Sequence, residues 1–253
     1  SAIKGGRLAL ACYPAPVLTL AISDVIGNDP AVIASGPTVA DTTTQLDAKK
    51  ILKKYDIYIP ENVHNYLSTS SNETPTNNNK RLLNSKIKII AKPMASLEAA
   101  AKIADRAGYK CHILSDSCEG EATVLAARHA AMVKNYPPGT ILLSGGEATV
   151  VVKGNGKGGP NTEYALSLAQ NLCGHPKIWA LACDTDGIDG TEDNAGAIIS
   201  PDTLIRAKSN GEDAAKRLTD NDSYSFFSAL GDLIISGPTL TNVNDFRAIL
   251  ISH

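Results

Sequence analysis

The sequence predicts an α/β protein of two domains, with largely parallel or mixed sheets flanked by helices and the first domain incomplete. Three observations predict it. At 253 residues the chain exceeds the usual size of a single core. Beyond residue 85 strand and helix patterns alternate regularly, the layout of βαβ units. Before that lies "STSSNETPTNNN", Ser68 to Asn79, which lacks apolar residues and is rich in turn formers. It reads as a solvated linker and divides the chain into residues 1–80 and 81–253.

The elements follow in order. "SAIKGGRLALA" has no initiator Met and begins as if inside an element, so it reads as a fragment or a processed piece. "VLTLAIS", Val17 to Ser23, is a β-rich apolar run ending in Asp24 and a Gly-containing turn, the pattern of a buried parallel strand. "TTTQLDAKKILKKYDI" has helical spacing at Leu46, Ile51 and Leu52, with Thr42 to Thr44 available as caps. After the linker come strand "KIKIIA", helix "SLEAAAKIADRAG" with Ser96 as cap and Gly108 as stop, strand "CHILS", and helix "GEATVLAARHAAMVKN". "TILLSGGEATVVVK" reads as two strands around a Gly-Gly turn, short enough for an antiparallel hairpin. Helix "NTEYALSLAQNL", strand "IWALAC", an acidic loop, two or three short helices and strands "DLIIS" and "FRAILIS" complete the chain.

Composition narrows the function. Aromatic residues make up 5%, so Ala, Ile and Leu must fill the interior. A net charge of -2 creates no field that would attract nucleic acid or anionic membrane, and no basic run with interleaved aromatics occurs. No apolar run reaches the length of a membrane span, and nothing resembles a signal peptide. The five cysteines are odd in number and widely spaced without a CxxC pair, as expected of reduced core residues in a cytoplasmic protein. A homo-oligomeric state is left open. The five histidines show no ligand spacing and no nucleophile companion.

Six loops could carry chemistry. "GNGKGGPNTE", Gly154 to Glu163, lies between a strand and a helix, and its Gly154, Gly156 and Gly159 match G-x-G-x-x-G. One reading is a dinucleotide site with Asp184 as the ribose acid. Yet Pro160 suits the first helical turn, which starts the helix after the glycines. The second reading is a pre-helix loop whose amides and Lys157 hold phosphate. The third is a flexible crossover.

"CDTDGIDGTEDNAG", Cys183 to Gly196, gathers five acidic residues on one loop. An EF-hand fails because Ile188 and Asp189 stand at its fifth and sixth positions, whereas magnesium needs only one or two carboxylates. A solvated acidic turn is the alternative. "SGGEATVVV" offers Gly145, Gly146 and Glu147 at a strand end, and "KGGRLA" sets Lys4 and Arg7 around two glycines. Ser-Gly-Pro-Thr occurs twice, at residues 35–38 and 236–239, with Asp24, Asn28 and Asp29 near the first copy and Asn242, Asn244 and Asp245 near the second. Each copy presents a Thr hydroxyl rigidly, and two such loops could face one cleft.

These loops in this order, "SAIKGGRLA", "SDVIGNDPAVIASGPTVAD", "LLSGGEATVVVKGNGKGGPNTE", "DTDGIDG" and "GPTLTNVNDF", resemble the glycerate 2-kinase family. Its members are two-domain enzymes ending in a MOFRL-type domain, and some have been labelled hydroxypyruvate reductases. The resemblance runs from the first residue to the last strand. It implies ATP-dependent phosphorylation of D-glycerate to 2-phosphoglycerate in a cleft between the domains. It also implies that the first half or more of the amino-terminal domain, with a Lys-bearing segment, is missing here. Many relatives carry an acidic residue at Asn28 and Arg at Pro160; the second departure removes a strong phosphate ligand, for which Lys157 or Arg7 could compensate.

Residue chemistry and resemblance converge on phosphoryl transfer, which needs positioning and charge neutralisation but no covalent nucleophile. The expected ATP contacts are Gly145, Gly146, Glu147, Gly156, Lys157, Gly158, Gly159 and Asn161, with Mg2+ on Asp186 and Asp189. The expected glycerate contacts are Lys4, Arg7, Ser35, Thr38 and Asn242, with Lys4 and Asp24 as catalytic residues and Asp24 accepting the hydroxyl proton. The rivals are an NAD(P)-dependent hydroxypyruvate reductase and a noncatalytic nucleotide-binding fragment.

Overall fold

The computed structural model describes all 253 residues, which form two compact units, Ser1–Ile90 and Ala91–His253. The first unit contains α1 (Arg7–Cys12), β1 (Val17–Ile22), α2 (Gln45–Lys54), α3 (Glu61–Ser68) and β2 (Ser85–Ala91). The expected start of α2 is present as a capping box. Thr44 Oγ1 accepts the Asp47 amide while Asp47 Oδ2 accepts the Thr44 amide, each at 3.2 Å.

Three expectations for this unit are corrected. β1 is not buried: it pairs with β2 in a two-stranded sheet, and Leu18 and Leu20 are 67% and 58% exposed. A strand buried on both faces needs layers above and below it, and this sheet lacks one. "KIKIIA" does not open the second unit, because its strand is β2. The stretch 68–79 does not run free through solvent. Thr74 donates to Asp41 Oδ2 at 3.1 Å, the Asp41 amide donates to the Pro75 carbonyl at 3.1 Å, and Pro75 is buried. The Gly5–Gly6 turn admits this segment. A Cβ on either residue would stand 2.7 Å from Thr74 Cγ2 or 2.8 Å from Pro75 Cγ, and both φ angles are left-handed at 60° and 77°.

The second unit contains α4 (Pro93–Arg106), β3 (Lys110–Glu121), α5 (Ala122–Val133), β4 (Thr140–Thr149), α6 (Pro160–Leu172), β5 (Ile178–Asp184), β6 (Gly196–Ile199), α7 (Thr203–Ser209), α8 (Ala214–Thr219), α9 (Ser223–Leu230), β7 (Leu233–Ile234) and β8 (Asp245–Ile251). Six strands form one mixed sheet in the order β3-β4-β8-β5-β6-β7. Only β3 and β4 pair in parallel; the other four pairings are antiparallel. β8 decides this, because the last strand of the chain enters between β4 and β5 and runs against both.

β4 is one continuous strand, so the hairpin expected around Gly145–Gly146 does not form. The glycines serve close approach instead: at Gly146, with φ 118°, an added Cβ would overlap the Cys118 backbone of β3. Ser96 does not cap α4. The helix starts at Pro93, after Lys92, and Ser96 Oγ donates back to the Pro93 carbonyl at 2.9 Å. β6 carried no distinct signal in the sequence and went unread. The core is aliphatic as composition requires, with Leu142, Leu166, Leu168, Ile178 and Ile249 buried, and Tyr164, Phe226 and Phe227 add aromatic bulk.

Candidate functional site

Within the first unit, Lys4, Arg7 and Ser35 line one polar cavity of about 360 Å³, together with Asp29, Asp41 and Thr74. The cavity exists because the first Ser-Gly-Pro-Thr copy docks on the Lys4–Arg7 turn. Gly5 and Gly6 donate their amides to the Ser35 and Gly36 carbonyls at 2.9 and 2.8 Å, and Leu8 donates to the Pro37 carbonyl at 3.1 Å. Ala34, Ser35 and Gly36 all take left-handed backbone angles, with φ 50°, 61° and 54°. The copy is therefore preceded by a helical turn at Ile33–Ser35 rather than by a strand.

The polar groups here differ in availability. The Arg7 guanidinium donates to the Ser1, Lys4 and Asn72 carbonyls, which makes it a brace for the turn. Burial works against ionisation of Asp41, but hydrogen bonds from Thr43 and Thr74 and the Arg7 charge hold its carboxyl below the usual range. The Lys4 ammonium is exposed and has no ion-pair partner. Thr38 does not face the cavity: it is buried, its hydroxyl lies 2.7 Å from that of Thr19, and its carbonyl accepts Ser85 Oγ. Asp24 is exposed beyond the end of β1 and is not among the cavity residues.

In the second unit the acidic loop and the second Ser-Gly-Pro-Thr copy come together. The Thr239 amide donates to the Asp186 carbonyl at 2.8 Å and its hydroxyl to the Thr185 carbonyl at 2.6 Å. A Cβ on Gly187 would overlap the Gly237 carbonyl. Each copy thus braces a glycine-containing turn of its own unit. Asn242 folds back on its own loop, its Oδ1 accepting the Asn244 amide at 2.7 Å.

α6 begins at Pro160, where the proline predicted it. Its amino terminus, however, is already occupied by an anion. Asp189, 1% exposed, accepts the Asn161 amide at 2.9 Å and the Thr162 amide and hydroxyl at 2.8 Å each. Asp189 therefore caps the first turn of α6 with its side chain. Asp186 accepts the Ile188 amide on Oδ1, so both carboxylates of the expected pair are engaged by backbone amides.

Of the amide cradle expected of Gly156, Lys157, Gly158 and Gly159, the amides of Gly156, Lys157 and Gly159 are bonded within the protein. The Thr219–Ser223 corner between α8 and α9 takes the amides of residues 153 to 157. Asn221 Oδ1 accepts the Lys153 and Gly154 amides at 2.7 and 3.0 Å; Asp220 takes those of Asn155 on its carboxylate and Gly156 on its carbonyl; Asp222 Oδ1 takes that of Lys157 at 3.0 Å. Gly159 donates to Thr162 Oγ1 at 3.0 Å. The glycines match this packing, since a Cβ at Gly154, Gly156, Gly158 or Gly159 would overlap Asp220, Asp222, Ser223 or Asp189. Close approach by the protein's own chain, not by a pyrophosphate, explains the G-x-G-x-x-G spacing. Lys157 keeps an exposed side chain, whose Nζ lies 3.4 Å from Glu192.

A buried polar chain that the sequence reading missed supports these loops. Asn161 Nδ2 donates to Asp245 Oδ1 at 2.6 Å, the Ala148 amide donates to Asp245 Oδ2 at 2.8 Å, and Arg247, 1% exposed, pairs with the same carboxylate. Arg247 lies over the Tyr164 ring, whose hydroxyl is 2.7 Å from His129 Nδ1. Burial, reinforced by Arg247, lowers the His129 pKa to about 4. At the end of β5, burial pushes Asp184 up to about 7, and the nearby charges of Asp186 and Asp245 act in the same direction. The one signal for this network was an arginine inside the apolar strand "FRAILI". Glu147 is exposed, and Gly145 and Gly146 are buried within β4.

Comparison with known proteins adds family context. The chain matches the MOFRL family over residues 140–245 and a domain of unknown function, DUF4147, over residues 1–68. It is 50% identical over 262 residues to an Agrobacterium vitis protein provisionally named hydroxypyruvate reductase, covering 99% of this chain and 58% of that one. It is 39% identical over 258 residues to the D-glycerate 2-kinase of Thermotoga maritima, covering 99% and 60%. The glycerate kinase of Macaca fascicularis is 31% identical over 304 residues, covering 99% and 76%. A crystal structure of glycerate kinase from Thermotoga maritima superposes with a TM-score of 0.88 at 39% identity, over 99% of this chain and 61% of that one. The chain thus spans about three fifths of the length of the bacterial relatives it matches.

Proposed function

Because the chain belongs to the glycerate 2-kinase family, we propose that the protein carrying it transfers the terminal phosphoryl group of ATP to D-glycerate, giving 2-phosphoglycerate. The observation that carries this reading is the first unit's cavity: about 360 Å³, hydroxyl-lined, with the ammonium of Lys4 unpaired at its edge. That chemistry suits a small hydroxy acid whose carboxylate meets Lys4 and whose hydroxyls meet Ser35 and the Asp29 and Asp41 carboxylates. Arg7 serves by holding the turn that carries Lys4. Asp24 is not assigned the proton-accepting role, because it lies outside the residues that line this cavity.

For ATP, the side chain of Lys157 is the proposed phosphate contact in place of the loop amides. Glu147, exposed at the end of β4, is a second candidate for contact with the nucleotide. A cation held near the phosphates neutralises the charge that spreads over the transferred group. Magnesium enters only as the ion accompanying ATP, with no protein ligand assigned. We place the enzyme in the cytoplasm, in keeping with five unpaired cysteines; no helix is long and apolar enough to cross a membrane.

The relatives named for hydroxypyruvate reduction make the second reading testable in the same assay. The natural full-length protein is incubated with D-glycerate and MgATP, and separately with hydroxypyruvate and NADH. The proposal requires ADP release and a 2-phosphoglycerate product identified by phosphorus NMR. NADH oxidation without ADP release would instead establish the reductase.

A further inference from the structure

Lys157 is held through its backbone on both sides by the start of α9. Its amide donates to Asp222 Oδ1 at 3.0 Å, and its carbonyl accepts the Tyr224 amide at 2.9 Å. Asp222 is itself fixed: Ser225 Oγ donates to Oδ1 at 2.6 Å, and Arg217, which also grips Glu212 at 2.8 Å, pairs with Oδ2. Tyr224 donates its hydroxyl to Asp193 Oδ1 at 2.9 Å, tying the glycine loop to the acidic loop that carries Glu192, the ion-pair partner of Lys157. Asp222 is 8% exposed, so this clasp is built into the fold and is not a passing surface contact.

We propose that Asp222 is a positioning residue for phosphate binding, acting through Lys157: it fixes the glycine loop so that the Lys157 ammonium is presented to the phosphates of a nucleoside triphosphate. The inference rests on the kinase reading for the identity of the ligand, and on the clasp geometry for the residue. Without the carboxylate, the Lys157 amide loses its acceptor, and the base of the four-carbon lysine stem is held on one side only, by the Tyr224 amide. A lysine held at its backbone loses less freedom on binding than one on a mobile loop, which is why the effect falls on nucleotide affinity. Glycine is required at position 156 for the same reason, because a Cβ there would displace Asp222.

The test uses the natural full-length protein and four variants, Asp222→Ala, Asp222→Asn, Lys157→Ala and Asp222→Ala/Lys157→Ala. KM for ATP, KM for glycerate and kcat are measured, with ATP binding followed by calorimetry and folding by circular dichroism. Asp222→Ala and Lys157→Ala are each expected to raise KM for ATP about tenfold, the scale of one lost charged hydrogen bond, and to leave KM for glycerate unchanged. The double variant is expected to be no worse than Lys157→Ala, because Asp222 acts through the lysine. Asp222→Asn keeps an acceptor for the Lys157 amide and is expected to recover most of the affinity.

Multiplied effects in the double variant, or equal losses toward both substrates, would overturn the positioning role. Lys157→Ala with unchanged KM for ATP would overturn it while leaving the kinase reading intact. If the wild type turns over no glycerate, the kinase reading fails alone, and calorimetry with ATP decides the clasp by the same comparison. Absence of ATP binding to the wild type overturns both.

Discussion

The carboxylate of Asp189 and the first turn of α6 at Thr162 form one capping unit across 27 residues of chain, with the Thr162 amide and hydroxyl both donating to Asp189 Oδ2 at 2.8 Å. Removing the carboxylate leaves buried donors without acceptors. Asp189→Ala is therefore expected to destabilise the second unit by about 2–4 kcal/mol, and Asp189→Asn by less, as measured by urea denaturation.

His129 makes the protein sensitive to mild acid. Its pKa of about 4 in the folded protein lies below the 6.5 of the unfolded chain. Between those values the unfolded state holds a proton that the folded state lacks. Stability from this group is complete above about pH 6.5 and falls as pH drops toward 4, by up to about 3 kcal/mol. Urea midpoints at pH 7 and pH 4.5 should differ less in His129→Gln than in the wild type.

Asp184 has the opposite sign. Its pKa is raised to about 7, so from about pH 4 to pH 7 the folded state retains a proton that the unfolded state has lost, and stability falls as pH rises. Asp184→Asn is expected to raise Tm at pH 8 and to leave it nearly unchanged at pH 4. A Tm gain of equal size at both pH values would refute the assignment.

Within the first unit, Lys4 and Thr38 should separate by kinetics. Lys4→Ala is expected to raise KM for glycerate by about tenfold or more while KM for ATP stays constant, since it removes one charged contact. Thr38→Val should leave KM for glycerate unchanged, because its hydroxyl is engaged with Thr19.

Besides Pro75, the first unit buries only Ala9, Ala21 and Ile33 among its apolar side chains, while Leu18, Leu20, Tyr58 and Leu83 are exposed. Hydrogen exchange should therefore divide this chain at residue 90. Amides of β1 and β2 are expected to exchange at least about a hundredfold faster than those of β4, β8 and β5. Equal protection across the two units would contradict the burial pattern.

Much of the fold was legible locally. The Thr44 cap of α2, the Pro160 start of α6 and the helices following β3 and β4 each depend on residues within a few positions of one another. The family was legible too, because five motifs in fixed order leave few alternatives. The candidate site was legible in part. Lys4, Arg7 and Ser35 do share one cavity, whereas Thr38 turns inward and Asp189 caps a helix.

The sequence by itself determined where most helices and strands begin, since caps, proline placement and apolar period act over one or two turns of chain. Only the tertiary structure decided that β8 inserts between β4 and β5, that β4 runs straight through its two glycines, and that Asp220, Asn221 and Asp222 occupy the glycine loop. The physical reason is separation. The loop's acceptors lie 64 to 68 residues from its donors, and Asp245 lies 84 from Asn161, so no local pattern records which acceptor reaches which amide until the sheet has closed.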